Sequence, residues 1–327
     1  MNIVVLGGGA VGSVIATELA RAGEEVTLLV RAQAMPATGT LKITVEDADH
    51  ETRWAIVPVI STITETPDLV ILCVKAPDLE SATAMLVEHI GDTPVVALHA
   101  APQGDAIVSR TLGRASSSGV FLGRAEYVQP GHVRVSQPQI ALAATLPGAA
   151  ASVAAFTRAI TAVHTADLPA LRWALVLANL PQAIAALVNQ PLSTLTEDRT
   201  TQALATTLLI EASRVFAKAG IVPANLPPLD IAKLCRLHSM PGFFASRVVR
   251  QEPAFFQWRG PLIDPLLQSL RRQRPTEIDA LHGEIVRLGQ QHGVPTPTTA
   301  QLVEVMHGIE RSGTFLTVAT LKHAMRV

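Results

Sequence analysis

The N-terminal stretch 1–23, "MNIVVLGGGAVGSVIATELARAG", decides the fold. A β-branched run, "NIVVLG", leads straight into glycines, and an apolar pattern of helical period follows from Val11 to Ala22. Gly7-x-Gly9-x-x-Gly12 therefore sits after a strand and opens a helix, the context its fingerprint requires. Gly7 permits the tight turn, Gly9 lets backbone approach a pyrophosphate, and Gly12 permits close helix–strand packing. Ala10 and Val11 place main-chain N–H groups at the helix N-terminus, where a phosphate is favoured. A dinucleotide-binding site built from Gly7, Gly9, Ala10, Val11 and Gly12 is the expectation.

Outward from this stretch the same rhythm continues. "EVTLLVR" (25–31), "DLVILCVKA" (68–76) and "TPVVALHA" (93–100) are short strands between helical patterns, the βαβ alternation of a parallel, doubly wound sheet. The stretch 119–145, "GVFLGRAEYVQPGHVRVSQPQIALAAT", reads as strands joined at Pro130-Gly131. After Asp167 and Pro169 the period turns helical and stays so, with long helices expected over 170–190, 198–220 and 275–293 and a proline-rich break at 220–230. The fold class is thus α/β: an N-terminal Rossmann doubly wound sheet, residues 1–165, followed by an all-α domain, residues 166–327. Ligand chemistry is expected between the two domains.

The nicotinamide cofactor is distinguished at the end of the second strand, where a carboxylate binds a ribose 2′-hydroxyl and a basic group accepts a 2′-phosphate. Glu24 and Glu25 precede that strand, and Arg31 stands at its end, nineteen residues past Gly12. NADP is therefore favoured over NAD, against the reading of Arg31 as a solvated surface arginine. Lys75, at the end of a neighbouring strand, adds a second positive charge or is an ordinary strand-end lysine.

Bulk properties exclude several classes. The 327-residue chain carries 26 Lys and Arg against 27 Asp and Glu, net charge −1, which gives no footprint for nucleic acid. Cys73 and Cys235 are far apart and fit no metal or redox spacing, so no metal site is expected and both thiols read as reduced. No leader pattern precedes the glycines, and Arg172, Asn179, Pro181 and Gln182 interrupt the apolar run near 170–188. A cytoplasmic protein without a membrane partner is expected, acting on a small molecule, with a homodimer left open.

Four segments resemble the ketopantoate reductases, or 2-dehydropantoate 2-reductases: "GGGAVGS", "PDLVILCVKAPDLESA" (67–82), "RWALVLANLPQAIAAL" (172–187) and "RRQRPTEIDALHGEIVRLGQQHGVPTP" (271–297). The likeness runs through the whole chain, and the "TEID" to "HGVP" segment is its most specific part. It implies NADPH as cofactor and reduction of a 2-keto acid carbonyl in the interdomain cleft. Gly7, Gly9, Gly12, Arg31 and Lys75 match its dinucleotide positions. Glu277 matches a glutamate near the cofactor and active cleft, although Thr276 and Glu277 also suit the capping of a helix N-terminus.

The substrate side departs from that pattern. The family carries a lysine, the proton donor, four residues before the asparagine that matches Asn179; here that place holds Leu175, on the same helix face at i, i+4 spacing. Ala100 and Ala101 replace an Asn-Gly pair, with His99 just before them. Pro265 and Ser269 align with the family's substrate-binding serine and aspartate. Asn179, Glu277 and His99 are the catalytic candidates, and Asn179 and Gln182 are expected to face the cleft. Five of the twelve aromatic residues, Phe243, Phe244, Phe255, Phe256 and Trp258, fall in 243–258 and suggest an apolar pocket wall or, equally, core or interface. Arg247, Arg250 and Arg259 interleave with them as carboxylate clamps or surface arginines. The leading expectation is an NADPH-dependent reductase of a 2-keto acid or related carbonyl or imine, bulkier and less polar than ketopantoate. The alternative is an NADPH-binding protein without hydride transfer, a sensor or partner subunit.

Overall fold

In this computed structural model, residues 1–143, 150–195, 198–251 and 262–325 are described. They divide into two compact units, Met1–Leu168 and Pro169–Val327.

The first unit runs β1 (Asn2–Leu6), α1 (Ala10–Arg21), β2 (Glu25–Leu29), β3 (Thr40–Glu46), β4 (Thr52–Ile60), β5 (Leu69–Leu72), α2 (Leu79–Ile90), β6 (Val95–Leu98), α3 (Gly104–Leu112) and β7 (Ser117–Phe121). It closes with β8 (Arg124–Gln129), β9 (His132–Ser136), β10 (Ile140–Leu142), α4 (Ala150–Ala159) and β11 (Ala162–His164). Strand order across the sheet is β11-β10-β7-β6-β5-β1-β2-β4-β3-β9-β8. The central strands β7-β6-β5-β1-β2-β4 are parallel neighbours throughout. β1, β5 and β6 are nearly continuous apolar runs because both faces are covered. Alternation along β1 separates the two cores. Ile3 and Val5 pack with Val14, Leu19 and Phe156, whereas Val4 and Leu6 pack with Leu79, Leu86 and Val108.

From β1 the chain moves to β2 on one side and returns to β5 on the other, so the switch of direction falls at β1. That is where open α/β sheets leave a crevice beyond their strand ends. Outer strands β3 and β4 form an antiparallel pair from Thr40↔Pro58 to Glu46↔Thr52. The sequence reading passed over this pair, although "TLKITVE" and "TRWAIVPVI" show β-branched alternation around a turn in which His50 takes φ 63°.

The second unit contains α5 (Leu168–Asn179), α6 (Gln182–Leu187), α7 (Arg199–Ala219), α8 (Ile231–Cys235) and α9 (Gly242–Arg250). It continues with α10 (Pro265–Arg271), α11 (Glu284–His292), α12 (Pro297–Ser312) and α13 (Val318–Ala324). The expected single helix over 170–190 is two helices. Pro181 has no N–H to donate and its ring crowds the carbonyl four residues back, so α5 stops and α6 starts afresh with Ile184 N–H donating to the Pro181 carbonyl at 3.1 Å. The expected helix over 275–293 begins as a π-helical turn, Asp279–Gly283, before α11. Residues 198–220 match expectation: Asp198 accepts from the Thr201 amide at 2.7 Å, and Gly220 ends α7 in the left-handed region.

Glu211, buried on α7, fastens α12. Its carboxylate accepts from the Thr298 and Thr299 amides at 2.9 and 2.8 Å and from Thr299 Oγ1 at 2.7 Å. A carboxylate is favoured at a helix N-terminus, where amides lack intrahelical acceptors. No described helix is long and apolar enough to cross a membrane.

Candidate functional site

The β1–α1 turn is shaped by what surrounds each glycine. Gly7 has φ 117°, and a Cβ there would lie 2.5 Å from the Cys73 carbonyl oxygen; a Cβ at Gly12 would lie 1.9 Å from the Gly7 carbonyl oxygen. A Cβ at Gly8 would press on the Val30 side chain at 2.9 Å, which would have to shift to admit it, a point the fingerprint spacing does not carry. Gly9 differs: apart from its own neighbours in the chain, none of the described residues comes within 4 Å of a Cβ built there. The space beyond Gly9 is open, and it lies at the N-cap of α1.

That helix end suits an anion. Its N-cap residue, Gly9, has no side chain to cap it and its first turn holds no acidic residue, while Ala10 and Val11 supply N–H groups of the kind that lack intrahelical acceptors. The strand ends are stitched together around it. Gly7 N–H donates to the Leu29 carbonyl at 3.0 Å, Cys73 N–H to Leu6 at 2.8 Å and Val30 N–H to Ile60 at 2.9 Å. Cys73 is buried, and burial pushes its thiol far above the ordinary range; burial also raises Cys235, to about 11. Neither is an activated nucleophile. The open space at Gly9, the uncapped helix end and the crevice at β1 together fit a dinucleotide pyrophosphate.

Arg31 lies two residues beyond β2, and Lys75 lies in the loop after β5. Arg31 does not stand alone: its Nη2 donates to Asp78 Oδ1, and both side chains are 45% exposed. Sequence reasoning missed Asp78, which lies 47 positions further along the chain.

His99, just beyond β6, is turned toward α3. Its side chain is fully buried, packed over Gly104, where a Cβ would meet the ring at 2.3 Å, and Nε2 pairs with Asp105 at 2.9 Å. Ser118 Oγ donates to the same Asp105 oxygen. This trio ties β6 and β7 to α3, so the geometry gives His99 a structural post. Ala101 beside it is buried.

In the helical unit, Leu175 is buried and Asn179 is the last residue of α5. Asn179 Oδ1 is buried without a hydrogen-bond partner among the described residues. Gln182, expected one turn along the same helix, instead opens α6 across the Pro181 break and is buried. Leu180, between them, has its carbonyl taken by a group from far away: His282 Nε2 donates to it at 3.0 Å. His282 is completely buried, and burial pulls its pKa down to about 4, against a smaller upward pull from that carbonyl. Its ring is therefore neutral with the proton on Nε2, and Nδ1 is a buried acceptor without a partner among the described residues. The sequence reading missed His282; its place inside the "TEID" to "HGVP" segment was the available signal.

Around Glu277, capping falls to its neighbours. Thr276 Oγ1 accepts from Ile278 N–H at 3.2 Å, and Glu310 accepts from Thr276 N–H at 2.7 Å. Glu277 itself is half-buried. Ser269 is buried on α10, and Asp264 Oδ1 caps that helix through the Leu266 amide at 2.8 Å. Phe243 and Phe244 are 69% and 57% exposed and stack edge to face on each other, so neither packs into the core. Arg247 and Arg250 are exposed. Phe255, Phe256, Trp258 and Arg259 lie outside the described residues.

Comparison with known proteins agrees with this arrangement. The model of ketopantoate reductase PanE/ApbA matches residues 3–147, and the model of its C-terminal part matches residues 167–310. The 2-dehydropantoate 2-reductase of Vibrio cholerae is 27% identical over 95% of this chain and 99% of its own length. A PanE/ApbA family ketopantoate reductase from Ralstonia eutropha JMP134 superposes with TM-score 0.78 at 25% identity, over 96% of this chain and 99% of that one. D-mandelate dehydrogenase, solved with NADH and anilino(oxo)acetate, shares the fold at TM-score 0.78 and 21% identity, over 97% of this chain and all of that one. With both family models matched along nearly its whole length, around a glycine turn open at Gly9, the chain belongs to the ketopantoate reductase PanE/ApbA family.

Proposed function

We propose that this protein is an NADPH-using reductase of a 2-keto acid that is bulkier and less polar than ketopantoate. The observation that carries the reading is Leu175. It is a buried hydrocarbon one helical turn before Asn179, at the place where the family resemblance puts a proton-donating lysine. The same trend appears at Ala100, Ala101 and Pro265, while Gly7, Gly9, Gly12, Arg31 and Lys75 persist.

Bound NADPH supplies the hydride. Gly9 with the Ala10 and Val11 amides would hold the pyrophosphate, and Arg31 with Lys75 would hold the adenosine end. Asn179 is assigned to the substrate carbonyl: an amide N–H donating to the oxygen that becomes an oxyanion stabilises it without itself losing a proton. Glu277 is the remaining acid–base candidate. His99, bound to Asp105 and buried, is set aside as proton donor. The proton reaching the product alkoxide then comes from water or from Glu277.

NADPH oxidation by the purified protein, measured with ketopantoate and with a panel of 2-keto acids carrying larger apolar side chains, tests this. Turnover of the larger acids at least about tenfold above ketopantoate in kcat/KM supports the reading. Preference for ketopantoate overturns it.

A further inference from the structure

We infer that Asp78 sets the choice between NADH and NADPH, both by occupying the Arg31 guanidinium and by supplying the carboxylate that the end of β2 lacks. This rests on the dinucleotide reading above.

β2 ends at Leu29, and the chain runs on through Val30 to Arg31 without an acidic residue. The fold brings one in from elsewhere: β1 lies between β2 and β5, and the loop after β5 carries Asp78 against Arg31. Asp78 occupies the N-cap position of α2, where an aspartate ordinarily accepts from its own helix, yet its side chain makes no capping bond. Its carboxylate is committed to Arg31 instead. Both partners are half-exposed, so an arriving ligand can exchange with either.

A dinucleotide site uses a carboxylate to accept from a ribose 2′-hydroxyl, or an arginine to pair with a 2′-phosphate. Here the two determinants face each other. A 2′-phosphate, with about −1.5 to −2 charge, must displace Asp78 from Arg31 and then lie beside a carboxylate. The ribose diol of NADH can donate to Asp78 while the ion pair stays intact. With Arg31 already paired to Asp78, the phosphorylated cofactor binds without the large advantage an unopposed arginine gives. The chain thus accepts both cofactors.

Titration of nicotinamide fluorescence with NADPH and with NADH, on wild type, Asp78→Asn and Asp78→Ala, reads this out without any substrate. The wild-type Kd values are expected within about tenfold of each other, and both variants should tighten NADPH by about tenfold while weakening NADH. Competition by ADP-ribose and 2′-phospho-ADP-ribose should repeat the pattern with the nicotinamide removed. Variants that fold as wild type but leave the ratio of the two Kd values unchanged overturn the role of Asp78 alone. Failure of wild type to bind either dinucleotide overturns the reductase reading and this inference with it.

Discussion

His282 and Leu180 are joined at 3.0 Å across 102 positions of sequence, ring nitrogen to main-chain carbonyl. The carbonyl belongs to the residue before Pro181, at the break between α5 and α6, and the ring comes from the π-helical turn Asp279–Gly283. One irregular turn therefore satisfies another. A π turn admits an extra residue per turn and often marks functional segments. Here it carries the ring that closes the gap directly after Asn179.

His282 makes stability depend on pH in a definite direction. Its folded pKa, about 4, lies below the unfolded value of 6.5, so between these the unfolded chain binds the extra proton. The contribution is complete above pH 6.5 and is lost as pH falls toward 4, with a span of order 3 kcal/mol. Thermal melts from pH 7.5 to 4.5 should show this decline. In His282→Gln, which keeps an N–H donor and does not titrate, the decline should flatten and the melting temperature at pH 7.5 should fall only moderately.

Gly9→Ala and Gly12→Ala should behave oppositely, although both belong to one fingerprint. None of the described residues beyond its chain neighbours meets a Cβ at Gly9, so that variant should melt within a degree or two of wild type and lose NADPH affinity by about tenfold or more. Gly12→Ala drives a methyl into the Gly7 carbonyl and should cost about 2–4 kcal/mol of stability. Melting curves with and without NADPH separate the two effects.

Asn179→Ala should lower kcat by about 10²–10³ while NADPH affinity holds, because the amide is assigned to the substrate oxygen and not to the dinucleotide. Stopped-flow hydride transfer and a cofactor titration measure the two terms. An equal fall in NADPH affinity would move Asn179 to the cofactor.

Leu175→Lys places an ammonium where a buried leucine packs, which lowers the lysine pKa by up to about 3–5 units and destabilises the fold. The lysine alone should not create ketopantoate reduction, since Ala100, Ala101 and Pro265 remain. Ketopantoate turnover by the folded variant would show that only the donor was missing.

Glu211→Ala should cost about 2–4 kcal/mol in a urea melt, since three hydrogen bonds to the α12 terminus lose their acceptor at once. NADPH affinity, assigned above to residues of the first unit, should be unchanged.

Legibility followed the range of the interactions. The strand, turn and helix start around Gly7, Gly9 and Gly12 were readable because they are set by neighbours in sequence, whereas the Cys73 carbonyl pressed against Gly7 was not. The kink at Pro181 was readable in principle, and taking 170–190 as one helix gave the apolar run more weight than the missing N–H. Asp78 against Arg31 and His282 against Leu180 were not readable, since each contact exists only after sheet order or helix packing brings distant residues together. His99 shows the converse: a histidine at a strand end has the chemistry of a site, but Gly104 leaves room for its ring to turn inward to Asp105.

The outer strands of the sheet bear on how copies of this chain meet. One border is β11, three residues long; the other is β8, whose register slips between Tyr127 and Gln129. Neither offers the long, flat row of main-chain groups along which two sheets zip together. The two borders therefore disfavour self-association by ladder extension.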